Sequence, residues 1–211
     1  MSQFSELTHP LIQHKLTEMR DKHTPKKLFN QNLFEITQLM TYAVTQDLPL
    51  QTTTVTTPLC DYEAPTLLDD NIVIVPILRA GLGMSHAVEA LIPTASIGCI
   101  GVYRDEETKR PVEYLIKLPD LTNKQIIVTD PMLATGHSAA YAIKLLVERG
   151  ATEQNIRLMT LVACPEGLQV IAEAFPQVHT YTAALDSHLD ENAYIVPGLG
   201  DAGDRLFGTE H

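Results

Sequence analysis

From residue 71 onward the chain alternates short, unbroken apolar runs with stretches of helical periodicity. "NIVIVPIL" precedes "GMSHAVEALI" and "ASIGCIGVY"; further on come "KQIIVTD", "SAAYAIKLLVERG", "NIRLMTLVACP", "EGLQVIAEAFP" and "VHTYTAALD". A strand without polar alternation has both faces buried, the condition found in a parallel sheet covered by its crossover helices. The pattern predicts an α/β fold: an open, mostly parallel twisted sheet with helices on both faces. Ligands of such sheets sit beyond the carboxyl ends of the strands. The residues following the apolar runs are therefore the candidates for function: Arg79 to Gly83, Arg104, and Asp130 to Ser138.

Upstream, Leu28, Phe29, Leu33, Ile36, Leu39, Met40 and Ala43 recur at helical spacing, and "QTTTVTTPL" (51–59) reads as an edge or hairpin strand. "YRDEETKRPVEYLIKLPDL" (103–121) breaks the rhythm, charged and then apolar, and reads as a hairpin or arm outside the core of the sheet. With no repeat and no linker, the 211 residues read as one domain. Its parts are N-terminal helices over 9–46, a core over 71–185 and a C-terminal segment over 193–209. The net charge of −11 argues against nonspecific nucleic-acid binding. Cys60, Cys99 and Cys164 show no metal-site spacing and are expected to be buried small hydrophobes. The first residues lack the apolar stretch of a signal peptide and no run is long enough to span a bilayer, so a soluble, cytoplasmic protein is expected.

"IIVTDPMLATGHSAAYAIKLL" (126–146) carries the most specific chemistry. A buried strand ends on Asp130, a loop of small and hydroxylated residues follows, and a helix begins. The hydroxyls of Thr135 and Ser138, the amides around Gly136 and the helix start can encircle a phosphate. The loop lacks the lysine of a Walker A motif and is not GxGxxG. A carboxylate repels phosphate but accepts hydrogen bonds from sugar hydroxyls, so Asp130 beside this loop points to a ribose 5-phosphate group. The plainer alternative is an ordinary strand–turn–helix with a capping hydroxyl. In "VPILRAGLGMS", Arg79 follows a strand and is flanked by Gly81 and Gly83, which suits close approach to an anionic oxygen. "AYIVPGLGDAGDRLFGT" (193–209) is too rich in Gly, Pro and Asp for a helix or central strand, yet it keeps Ile195, Val196, Leu199, Leu206 and Phe207.

These motifs resemble the type I phosphoribosyltransferases. "DPMLATG", "PILRAGLGM" and the C-terminal "YIVPGLGDAGDRLFGT" in particular are similar to the uracil phosphoribosyltransferases, and the likeness runs from "HPLIQHKLTEMRD" through "VACPEG" to "LFGT". The family's loop usually has a second glycine where this chain has His137, which is expected to offer its backbone N–H and turn its ring outward. Many superfamily loops carry an acidic pair where Thr129 precedes Asp130 here.

The resemblance implies pyrimidine salvage: phosphoribosyl pyrophosphate (PRPP) plus uracil gives UMP and pyrophosphate. It implies PRPP contacts from Arg79, Arg104, Asp130, Pro131, Met132, Leu133, Ala134, Thr135, Gly136, His137, Ser138 and Asp201. It implies uracil contacts from Ile195, Gly200, Asp201 and Ala202, with Asp201, Arg104 and Asp130 closest to the chemistry. The segment after Arg104, including Lys109 and Arg110, is expected to close over the site. Mg²⁺ is expected to arrive with PRPP, since no metal cage is visible in the sequence. A homodimer or higher homo-oligomer is expected, with no nucleic-acid or membrane partner; some members bind GTP as an allosteric activator, on which this sequence is silent. Two other readings remain open at this stage. One is a regulatory protein of the same fold that binds PRPP or UMP without turnover, and the other is a phosphoribosyltransferase for a different base.

Overall fold

The computed structural model describes residues 3–68, 70–104 and 111–209. In chain order the elements are β1 (Gln3–Glu6), α1 (Pro10–Arg20), α2 (Lys26–Val44), β2 (Leu50–Thr56), β3 (Asp61–Leu67), β4 (Ile72–Leu78), α3 (Gly81–Leu91), β5 (Ser96–Ile97) and β6 (Cys99–Arg104). There follow β7 (Pro111–Lys117), β8 (Gln125–Thr129), β9 (Met132–Leu133), α4 (His137–Glu148), β10 (Ile156–Ala163), α5 (Pro165–Ala174), β11 (His179–Leu185), β12 (His188–Leu189), β13 (Ile195–Val196) and α6 (Ala202–Phe207).

The main sheet runs β1-β11-β10-β8-β4-β6-β7, with β5 beside β4 and β9 beside β10. All its pairings are parallel except β6 with β7. The central strands β4, β8 and β10 divide their side chains between two cores. Ile72, Ile74, Ile127, Met159 and Leu161 face α1, α2 and α3, while Val73, Val75, Ile126, Val128 and Leu158 face α4 and α5. Every residue of β10 is buried. At roughly 1.5–3 kcal/mol for each fully buried aliphatic side chain, these strands supply much of what holds the sheet.

The chain turns on itself between β4 and β8. After β4 it passes through α3 to β6 on one side; from β8 it passes through α4, β10 and α5 to β11 on the other. The carboxyl ends of β4 and β8 are thus neighbours at a topological switch point, where a crevice opens. A stitch holds them together. Thr129, fully buried, donates its hydroxyl to the Gly81 carbonyl at 3.0 Å, and a Cβ on Gly81 would come within 2.2 Å of the Thr129 carbonyl oxygen. The Thr129 side chain is thus turned into the protein, where it joins the two loops.

Several expectations need correction. Of the two readings of the 103–121 segment the hairpin holds, and it lies within the sheet as its margin: β7 is the edge strand, pairing antiparallel with β6. Its apolar half supplies the sheet contact, with Ile116 and Leu118 packed on the core; Lys109 and Arg110 lie outside the described residues. Cys60 is exposed and Cys99 half-exposed, while Cys164 alone is buried. Cys60 sits in the turn of the β2–β3 hairpin, where Thr57 bonds back to it, and that hairpin stands clear of the core. The C-terminal segment contains a helix after all. "AGDRLF" has no proline, and α6 is bounded by an Asp201 cap and by Gly208 in the left-handed region at φ 71°. β1 joins the sheet parallel to β11, a pairing that four residues of sequence give no sign of. Among the described residues, no helix is long and apolar enough to cross a membrane.

Candidate active site

The candidate phosphate loop begins with a break in strand pairing. β8 pairs with β10 as far as Thr129, and β9 resumes beside Val162 and Ala163. Between them the register is kept: the Asp130 amide donates to the Met159 carbonyl at 3.2 Å, and the Pro131 carbonyl accepts from both the Leu161 and Val162 amides, each at 3.1 Å. Asp130 stands in this gap between β8 and β9 and lines the cleft. Asp130 is half-buried, and desolvation pushes its carboxyl from 3.8 up to about 7, opposed only by a hydrogen bond from the Met132 backbone.

Beyond Leu133 the loop turns through Gly136, whose φ of 75° favours glycine, and α4 starts at His137. A pocket of about 90 Å³ is lined by Asp130, Met132, Leu133, Ala134, Thr135, Gly136, Ser138 and Ala139. The His137 residue is exposed. The first turn of α5 lies against the back of this loop. A Cβ on Gly167 would stand 2.4 Å from the Ala134 carbonyl oxygen and 2.6 Å from that of Leu133. The buried Cys164 thiol donates to the Ala134 carbonyl at 3.0 Å. Gly167 and Cys164 were not among the sequence candidates. The only signal for them was the glycine in "CPEG", whose partner lies thirty residues upstream.

The second wall comes from β4, where the Leu78–Arg79 peptide is cis and Arg79 is exposed. Its guanidinium lies 3.8 Å from the Asp204 carboxylate and 5.3 Å above the Phe207 ring. Arg104 ends β6, but its side chain lies outside what the structure describes.

The C-terminal segment forms the third wall. β12 and β13 make a small antiparallel ribbon, after which the chain turns sharply, the Val196–Pro197 peptide being cis. Gly198 folds so tightly that a Cβ would lie 2.1 Å from the Ile195 carbonyl oxygen. The turn is pinned from the sheet. Asp186, 7% accessible, receives both ends of the Arg20 guanidinium at 2.8 and 2.6 Å and the Gly198 amide at 2.9 Å. Three charge-assisted bonds on one carboxylate fix where the following backbone runs. That backbone then reaches Asp201, whose carboxylate accepts the Asp204 amide at 2.9 Å and starts α6. One oxygen of Asp201 is therefore already committed to ordering the turn.

The three walls enclose a cleft of about 470 Å³, lined among others by Arg79, Asp130, Met132, Ala134, Ile195, Gly200, Asp201 and Ala202. Residues proposed for the sugar, the leaving group and the base thus meet in one space, and the phosphate pocket adjoins it through Asp130, Met132 and Ala134. Among the described residues, no three His, Cys, Asp or Glu side chains gather to hold a metal ion. The Asp130 and Asp201 carboxylates opening on the same cleft suit a hard cation that takes its other ligands from substrate and water.

A switch-point crevice with a carboxylate-led phosphate loop on one side and a backbone-built hood on the other defines the phosphoribosyltransferase class. Within it, the sequence model of the family described as "Uracil phosphoribosyltransferase" matches residues 6–209, and the chain belongs to that family. It is 56% identical over 205 residues to a protein of that name from Paraburkholderia phymatum, covering 97% of this chain and 94% of the relative. It is 55% identical over 207 residues to another from Ralstonia pickettii, covering 98% and 95%. A solved structure from Aquifex aeolicus superposes with a TM-score of 0.93 at 34% identity, covering 98% of this chain and 99% of the other.

Proposed function

We propose that this chain transfers the 5-phosphoribosyl group of PRPP to N1 of uracil, giving UMP and pyrophosphate, a step of pyrimidine salvage. The observation that carries this reading is the single cleft shared by the Asp130 carboxylate, Arg79 and the Ile195–Ala202 hood in a member of this family. The loop amides with Thr135 and Ser138 hold the 5′-phosphate, and Asp130 accepts hydrogen bonds from the ribose diol. Arg79 and Arg104 take the pyrophosphate. N1 of uracil attacks C1′ as pyrophosphate departs, with inversion and oxocarbenium-like charge on the sugar. The chain's part is alignment and stabilisation of the departing charge. Bound with PRPP, Mg²⁺ would neutralise pyrophosphate charge, and Asp130 and Asp201 would be the residues to hold it. Uracil offers acceptor, donor and acceptor along O2, N3–H and O4, which backbone groups at Ile195, Gly200 and Ala202 complement; cytosine reverses two of these groups.

The test is a panel of bases offered with PRPP and Mg²⁺. Uracil is expected to give UMP, and cytosine, hypoxanthine and orotate are expected to react at least ~10³-fold more slowly, because mismatched polar groups would be buried unpaired. Turnover of another base at a comparable rate would remove this assignment, and binding without UMP formation would make the protein a non-catalytic relative.

The family likeness and the β2–β3 hairpin support a homo-oligomer. The hairpin projects with Leu50, Val55, Leu59 and Tyr62 exposed, Leu59 at 95%. An apolar arm of this kind is ordinarily covered by a partner. Sedimentation is expected to give at least twice the 23.3 kDa chain mass, and shortening the hairpin tip is expected to produce monomer. A monomeric natural chain at micromolar concentration would contradict this.

A further inference from the structure

Asp204 has no role in the reading above, yet it faces the residue proposed to take the pyrophosphate. Its carboxylate lies 3.8 Å from the Arg79 guanidinium, with side-chain accessibilities of 56% for Arg79 and 39% for Asp204. The Phe207 ring, one turn further along α6, lies beneath the same guanidinium at 5.3 Å. Asp204 is itself held firmly. Its amide is capped by Asp201, and its Oδ1 accepts the Thr209 hydroxyl at 2.6 Å. It also borders a second cavity of about 430 Å³ that Arg20, Lys22 and Arg205 line as well, so the carboxylate is not stranded in apolar surroundings when Arg79 moves away.

A pair this exposed is weak, on the order of 0.2–1 kcal/mol. Such a pair is strong enough to bias where a flexible arginine rests, and weak enough for a multiply charged pyrophosphate to displace it. We propose that Asp204, assisted by Phe207, is a positioning residue that exchanges with pyrophosphate for Arg79. It gives up the guanidinium when PRPP enters and reclaims it as the product leaves, so that it limits pyrophosphate affinity and speeds release. The inference rests on the assignment of Arg79 to the pyrophosphate made above.

The test is calorimetric titration of the full chain with inorganic pyrophosphate and Mg²⁺, beside steady-state kinetics. Asp204→Asn keeps the Oδ1 acceptor for Thr209 and removes the charge. It is expected to bind pyrophosphate about two- to fivefold tighter, with KM for PRPP and kcat falling together, as when release governs turnover. Phe207→Leu is expected to move in the same direction by a smaller factor. A merely structural lesion would weaken binding instead. The gain is expected to vanish in an Arg79→Gln background, because Asp204 acts through Arg79. Unchanged or weaker binding by Asp204→Asn, or the same gain without Arg79, overturns the exchange. If the natural chain still forms UMP, only this inference falls; if it forms none, the underlying assignment falls as well.

Discussion

Gly167→Ala is expected to lower kcat/KM for PRPP about 100-fold or more while leaving a folded protein. The added methyl would lie 2.4 and 2.6 Å from two backbone carbonyl oxygens of the phosphate loop. Neither is the end of a flexible side chain, so the loop must shift as a unit. A displacement approaching 1 Å at a positioning element costs on the order of 10²-fold in rate, and overpacking of this kind costs roughly 1–3 kcal/mol of stability. The comparison is Gly150→Ala. Gly150 has φ of 97°, but its nearest neighbour to an added Cβ is the Thr122 hydroxyl at 3.7 Å, at the far end of α4. That change is expected to lower the melting temperature without altering KM for PRPP. Chemical denaturation with initial-rate kinetics on both variants separates strain in general from strain in this loop. Normal PRPP kinetics in Gly167→Ala would show that the α5 contact does not set the loop.

Asp130→Asn is expected to lose activity and gain stability. The carboxyl is raised in the folded state from 3.8 to about 7 by burial. Between those values the folded chain keeps a proton that the unfolded chain has released. Fewer protons are bound in the unfolded state, so the contribution of this group to stability falls as pH rises through the window, and the loss is complete above about pH 7. A neutral amide avoids it. At pH 8 the variant is expected to be more stable, by a few kcal/mol at most because solvent screens part of the effect at a half-buried site, and to melt with a flatter pH dependence. Activity moves the other way. In the role proposed for Asp130 the ionised form accepts the hydrogen bonds of the ribose diol, so PRPP affinity in the natural chain is expected to rise with pH through about 7. Asp130→Asn is expected to lose about 10²–10³ in kcat/KM and that pH response with it. Equal stability of the two proteins at pH 8, with parallel pH profiles, would show that Asp130 is not desolvated in this way. A site residue whose removal steadies the fold is a trade between stability and function.

Much of the site was legible because its signals are local. The break after "IIVT", the carboxylate that follows and the small residues up to Ser138 lie within one strand–loop–helix unit, and apolar periodicity alone located it. The same holds for Arg79 behind the run "IVIVPIL". The C-terminal segment was legible as an ordered one, because its apolar residues had to be buried, but not as a helix: its glycines and prolines masked the six residues between two caps. Cys60 was misread because burial preference is an average over positions, whereas a hairpin that leaves the body of the molecule takes its turn residues with it.

What the sequence determined by itself was the central strands with the helices between them, the candidate phosphate loop and the identity of the residues that end those strands. Periodicity and turn chemistry act between neighbours a few positions apart, and they are written residue by residue. Only the tertiary structure decided that the ends of β4 and β8 meet at the switch point, that α5 lies against the back of the phosphate loop, that Arg20 and Asp186 pin the hood, and that Arg79 rests on Asp204 and Phe207. These contacts join segments between roughly fifty and more than a hundred and sixty residues apart, or, for Gly167, about thirty. They follow from burying two faces of one sheet at once, a condition on the whole chain that no short stretch carries.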